Sequence, residues 1–153
     1  MRSRPGAGRR RAVAIALAAL LVAACGSTTS PGPTGESTSV ALGIYSGRPD
    51  PTWTLTEAQA AELSRRLGHL APAVGTPPEG GLGYRGFTIA TRGSGEGDRS
   101  LVVYRGAVAA PGVGSRSYLV DPMRSLERYL LDTGRSHLTA EHVRAVEADL
   151  ATP

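Results

Sequence analysis

The chain has 153 residues, one Cys and 17 basic side chains, every one of them Arg, against 13 Asp and Glu. The absence of Lys excludes a Walker-A phosphate loop and Schiff-base chemistry, while a single Cys excludes an intrachain disulfide, a C-x-x-C redox pair and a Cys-rich zinc site. Five of the arginines precede residue 12, and the rest of the chain carries twelve Arg against thirteen acids. It therefore lacks the concentrated basic balance that phosphate backbones require, and nucleic acid is not an expected partner.

The N-terminal arginines are followed by thirteen unbroken apolar residues, Ala12 to Ala24, and then by Cys25. A membrane-spanning helix needs about 20 apolar residues, so the run reads as the h-region of an export signal over residues 1–24. Its end, Val22-Ala23-Ala24-Cys25, resembles the bacterial lipobox. That resemblance implies diacylglyceryl attachment to the Cys25 thiol, cleavage just before it, and a lipoprotein anchored on the extracytoplasmic face of the cell membrane. The same small residues also fit a type I signal peptidase site, the alternative that would leave a secreted protein. Arg9-Arg10-Arg11 leaves twin-arginine export open beside the general route. From Cys25 to Ser39 no large apolar side chain occurs, and the composition predicts a disordered tether.

From Val40 onward the pattern becomes periodic and predicts one domain, 40–153. Val40, Leu42 and Ile44 alternate as in a strand. Thr56 and Gln59 have the spacing of a capping box, and Ala60, Leu63 and Leu67 predict a helix over about 57–68. Ala71 to Gly83, rich in Pro and Gly, reads as a loop. Tyr84 to Thr91 and Leu101 to Ala109 read as a hairpin of two strands, and Arg116 to Val120 as a further short strand. Asp121-Pro122 opens a helix to about Asp132, with Met123, Leu126, Tyr129 and Leu130 facing inward and Gly134 ending it. Thr139 caps a last helix bearing Val143, Val146 and Leu150. The expected order is β-α-β-β-β-α-α, an α+β fold with an antiparallel sheet of three to four strands covered by two to three helices.

Motifs for chemistry are sparse. His137 and His142 are five apart and do not share a helical face; with His69 they read as surface or cap residues, and no metal site or cofactor is expected. No G-x-S-x-G elbow occurs. The Gly-rich stretch Gly93 to Asp98 sits between strands rather than between a strand and a helix, and reads as a hairpin loop rather than a phosphate or calcium site.

Two segments concentrate Arg, aromatic and turn residues: Ser46-Gly47-Arg48-Pro49-Asp50-Pro51-Thr52-Trp53 and Leu82-Gly83-Tyr84-Arg85-Gly86-Phe87. They hold the sole Trp and the sole Phe. Together they resemble an uncharacterised group of exported actinobacterial proteins with S-G-R-P-N-P-x-W-x-L and L-G-Y-R-G-F segments. Here Asp50 replaces the Asn. Each segment borders an expected strand, and the two are expected to meet. Arg48, Trp53, Tyr84 and Arg85 are the candidate recognition surface, since Trp, Tyr and Arg dominate interface hot spots. The competing reading makes Trp53 a core plug and Arg48 a clamp on loop carbonyls. The functional expectation is a lipid-anchored, non-catalytic binding module for an envelope protein or cell-wall ligand. The alternative is a small envelope hydrolase using carboxylates or a dispersed Ser/His/Asp set.

Overall fold

Side-chain alternation along seven extended segments sorts this chain into an apolar face and a face of small residues. The structure, a computed structural model, describes residues 36–93, 98–112 and 117–152. The elements run β1 (Ser37–Leu42), β2 (Thr52–Thr54), α1 (Glu57–Gly68), β3 (Ala71–Val74), β4 (Phe87–Arg92), β5 (Arg99–Tyr104), β6 (Ala107–Ala109), β7 (Ser117–Val120), a 3-10 turn (Pro122–Arg124), α2 (Ser125–Gly134) and α3 (Ala140–Leu150). The strands form one sheet in the order β2-β1-β4-β5-β6-β7-β3, every pair antiparallel.

The α+β class stands, but the sheet has seven strands rather than three or four. β2 was hidden because three residues, Thr52-Trp53-Thr54, are too few to show a period. β3 carries Pro72 and Gly-rich flanks, which read as a loop. It is an edge strand, the one place where a proline is tolerated in a sheet. The expected strand Leu101–Ala109 is two strands folded at Arg105-Gly106, both with positive φ (45° and 74°) as a two-residue hairpin turn demands. The first strand starts at Ser37, so the last three residues assigned to the tether belong to the sheet.

Register defines the core. Trp53, Val40, Ile89 and Leu101 lie in one cross-strand row, and Leu42, Phe87, Val103, Val108 and Leu119 in the next. These rows pack with Leu63 of α1, Leu126, Leu130 and Leu131 of α2, and Val146 and Leu150 of α3. The opposite sheet face bears Ala41, Thr88, Ala90, Val102, Ala107 and Ala109 by the same alternation.

α1 begins at its expected cap, Thr56 accepting the Gln59 N–H while Gln59 accepts the Thr56 N–H. Because β2 and β3 are the two edges of the sheet, α1 with its short links carries the chain from one edge to the other. Thr139 caps α3 in the same reciprocal way, with the His142 ring in place of a Gln amide. The Asp121-Pro122 start needs correcting. Pro122 opens only a 3-10 turn, Met123 is exposed rather than inward, and Asp121 acts one turn later, accepting from Leu126 N–H at 2.8 Å and Ser125 hydroxyl at 2.7 Å. Gly134 closes α2 for a packing reason: a Cβ there would lie 2.6 Å from the Trp53 ring.

Candidate functional site

The two Arg- and aromatic-rich segments meet, and Asp50 is the residue that joins them. Flanked by Pro49 and Pro51, it accepts the backbone N–H groups of Ile44 and Tyr45 on Oδ1, at 3.0 and 2.9 Å, and the Arg85 guanidinium on Oδ2 at 3.1 Å. Arg85 donates a second bond to the Tyr45 carbonyl at 2.7 Å. Backbone bonds from Gly43 N–H to the Gly86 carbonyl and from Arg85 N–H to the Gly43 carbonyl complete the junction. Asp50 acts here only as an acceptor. An Asn amide nitrogen at Oδ2 would face the Arg85 donors, so the carboxylate suits this junction. Gly86 is required by two constraints together: φ is +89°, and a Cβ would lie 2.3 Å from the Val103 carbonyl oxygen.

The four sequence-predicted surface residues divide in two. Trp53 is buried, edge-on to Phe87 with centroids 6.2 Å apart, and its Nε1 donates to the Thr133 hydroxyl at 3.1 Å. His137 stacks on it at 6.4 Å. Tyr84 is also buried, against Phe87 and Tyr104. Large aromatic area next to the core rows draws both inward, so both are packed in the core rather than presented on the surface. Arg48 is exposed and lies 3.4 Å over the Tyr45 ring rather than on loop carbonyls. The Tyr45 hydroxyl in turn pairs with His142 Nε2. Because His142 Nδ1 accepts the Thr139 N–H, neutral His142 carries its proton on Nε2 and donates to Tyr45.

Of the four, Arg85 lines a cleft. A cleft of about 310 Å³ lies between the Thr76–Gly80 loop and the Ala110–Gly112 turn, with Val102, Tyr104, Ala107 and Ala109 among its lining and Arg85 beside Gly80. Elsewhere Val74 is 90% and Leu82 97% accessible, but neither lines this cleft, and the register places Val74 on the helix-bearing face. The shallow Ala and Val side chains of this sheet face leave the space, and Pro77, Pro78 and Pro111 stiffen its sides.

A buried polar cluster escaped the sequence reading. Glu127, fully buried in α2, accepts from the Tyr84 hydroxyl at 2.7 Å, the Gly106 N–H at 3.0 Å, and Arg124 Nε and Nη2 at 2.9 and 2.8 Å. Arg124 also donates to the Asp149 carboxylate and, at 2.7 Å, to the Asp149 carbonyl, while Arg105 pairs with that carboxylate at 3.0 Å. Burial, reinforced by the Glu127 charge and hydrogen bond, pushes the Tyr84 phenol far above its usual range. At Asp149 burial acts upward but is outweighed by the Arg124 and Arg105 bonds, which hold its carboxyl below the usual value. The available signal was Glu127 itself, an acid one position after Leu126 on the stripe shared with Leu130, Leu131 and Gly134.

Among the described residues no group of three or more His, Cys, Asp and Glu is arranged to hold a metal ion, and no helix is long and apolar enough to cross a membrane. Cys25, the leader, and most of both the tether and the Gly93–Asp98 loop lie outside the described residues. Comparison of the chain with protein-family models, with curated proteins and with solved structures finds no match.

Proposed function

We propose that the chain is a membrane-anchored extracytoplasmic binding module, tethered through lipidated Cys25, whose cleft beside Arg85 receives an apolar side chain of an envelope protein. The observation that carries the reading is a concave, mostly apolar cleft lined by Val102, Tyr104, Ala107 and Ala109 and backed by the cross-linked Asp50–Arg85 junction. A concave, mostly apolar site with a few polar groups is the usual form of a binding surface. Binding is favoured over hydrolysis by the engagement of the carboxylates near the core. Asp50, Asp121, Glu127 and Asp149 each accept from Arg or backbone donors, and the ring nitrogens of His142 are committed to Thr139 and Tyr45.

Two measurements test this. Cys25→Ala should leave the membrane fraction or accumulate as an uncleaved precursor; a mature chain with an unmodified Cys25 thiol, seen by mass spectrometry, defeats the anchor. A photo-crosslinking residue at Thr76, exposed on the cleft lining, should yield in intact cells a discrete adduct that one at Arg65, on exposed α1 surface, does not. Equal adduct patterns from both positions would defeat the cleft as the binding surface.

A further inference from the structure

The cleft beside Arg85 carries two polar groups that the fold leaves without a hydrogen bond. Tyr104 is only 6% exposed and lines this cleft, yet among the described residues nothing bonds its hydroxyl. Every fully buried side-chain N or O among those residues has a partner, so this hydroxyl reaches solvent, and it does so where Tyr104 borders the cleft. The ring itself is held, edge-on to Tyr84 at 5.8 Å and with the Arg105 guanidinium 5.3 Å from its centroid. Glu79, on the Thr76–Gly80 loop of the lining, is exposed and likewise has no hydrogen bond or ion pair among the described residues. Gly80 seats that loop directly on Arg85, since a Cβ at Gly80 would lie 2.8 Å from the Arg85 Cβ. Glu79 therefore stands one residue from the Arg85 wall. Arg85 keeps N–H donors to spare beyond those given to the Tyr45 carbonyl and Asp50.

We infer that this cleft takes the free N-terminal residue of an envelope polypeptide, an apolar one; the inference rests on the reading of the cleft as a protein-binding site and names the part of the partner that enters it. Three chemistries meet in the lining. Glu79 offers an uncompensated carboxylate, because the neighbouring Arg85 charge is already shared with Asp50 at 3.1 Å, and that balance favours a cation over an anion. The Tyr104 hydroxyl and the spare Arg85 donors suit a carbonyl oxygen. Val102, Ala107 and Ala109 supply an apolar floor, with the room that short side chains leave. The first residue of a polypeptide carries all three complements in one unit: an α-ammonium, a carbonyl and a side chain. A C-terminal residue would bring its carboxylate to Glu79, and an internal apolar residue has no ammonium. The volume, about 310 Å³, lies at the lower end of small-ligand sites, the scale of a residue or two rather than of a docked helix.

The test uses the full protein purified from membranes and exchanged from detergent into an amphipathic polymer, with fluorescence polarisation of the peptide Leu-Ala-Ala-Gly labelled at its C-terminus. This peptide should bind saturably, and its N-acetylated form, which keeps the side chain and loses the charge, should bind at least tenfold more weakly. Free leucine should compete at least fivefold more weakly than unlabelled peptide, because its carboxylate faces Glu79. Glu79→Gln should weaken the free-amine peptide at least fivefold and leave the acetylated one unchanged, whereas Glu141→Gln, on exposed α3 surface, should change neither. Tyr104→Phe should weaken the free-amine peptide at least threefold at an unchanged melting midpoint, since its hydroxyl holds nothing in the fold. No saturable binding, equal binding of the free and acetylated peptides, or unchanged free-amine affinity in either variant would overturn the inference. Equal binding of an N-acetylated peptide with Lys in first place would also overturn it, by assigning the ammonium to a side chain. The Thr76 adduct reads the cleft separately. An adduct in cells without peptide binding removes the N-terminal residue and leaves the protein-binding surface standing, whereas the absence of both removes both.

Discussion

Glu127 concentrates more of the architecture than its place in a ten-residue helix suggests. It ties α2 to the β5–β6 turn through Gly106, to the Arg85 segment through Tyr84, and to α3 through Arg124. Arg124 reaches it from a left-handed backbone conformation, φ 55°, which costs roughly 1–2 kcal/mol and is sustained by the bidentate pair it makes possible. Removing one partner of a buried pair leaves the other uncompensated, so Glu127→Ala should destabilise by about 3–5 kcal/mol in denaturant titration. Tyr84→Phe should cost about 1.5–3 kcal/mol, the range for a hydrogen bond to a charged group. Tyr84 also sets an alkaline limit. Its phenol is held protonated in the fold but ionises near pH 10 in the unfolded chain. Its stabilising contribution is therefore complete below pH 10 and is lost as pH rises above it. Tyr84→Phe should flatten that part of the stability–pH curve; an unchanged slope above pH 10 would show that the buried phenol contributes nothing to it. At the junction, Asp50→Asn keeps the Oδ1 bonds to Ile44 and Tyr45 and loses the charge pair with Arg85. On a partly exposed bridge that should cost no more than about 1 kcal/mol, measured against Asp50→Ala, which also strips two backbone N–H partners and should cost more.

At the scale of elements, what could be read in the sequence divides by mechanism. The caps were legible because Thr56-x-x-Gln59 and Thr139-x-x-His142 are local devices that depend on nothing distant. The strands with long alternation, β1, β4 and β5, were legible too. β2 and β3 were not, because three or four residues carry too little period, and they are held by partners remote in sequence: Trp53 opposite Val40, Pro72 opposite Leu119. The β5–β6 turn was missed because Arg-Gly is an uncommon hairpin pair and Arg105 accepts a left-handed backbone only in this setting. The start of α2 was placed correctly to within a turn but given the wrong mechanism. Asp121 serves Leu126 and Ser125, not the residues that follow Pro122 directly. Asp121→Ala should therefore cost about 1–2 kcal/mol through loss of the α2 cap, with the far-ultraviolet helix signal largely retained below the midpoint; a cost under a few tenths of a kcal/mol would mean that water replaces the carboxylate.

For the molecule as a whole, the sequence disclosed the class and hid the topology. Local pattern says where strands are but not that α1 connects opposite edges of one sheet. The same limit applied to the candidate site: the two motif segments were expected to meet and they do, yet which aromatic faces outward depends on register and burial that no single segment encodes. Trp53 illustrates the consequence and supplies the test of how the molecule unfolds. It sits on a three-residue edge strand, yet its ring touches Phe87 of β4, bonds Thr133 and packs against Gly134 of α2. As the only Trp in the chain, its fluorescence reports β2, β4 and α2 at once, whereas circular dichroism weighs α1, α2 and α3 together. If the seven strands and three helices of the described residues share one core, the two signals should give the same thermal midpoint, and Trp53 emission should shift to the red in a single step. Adding reductant should leave that midpoint in place, since a chain with a single Cys forms no intrachain disulfide. Gly134→Ala, which forces a methyl into the indole, should lower both midpoints together by several degrees. A Trp53 transition that preceded the helical one would show instead that the β2 edge opens independently, and that the indole seals the α2 junction without coupling it to the sheet.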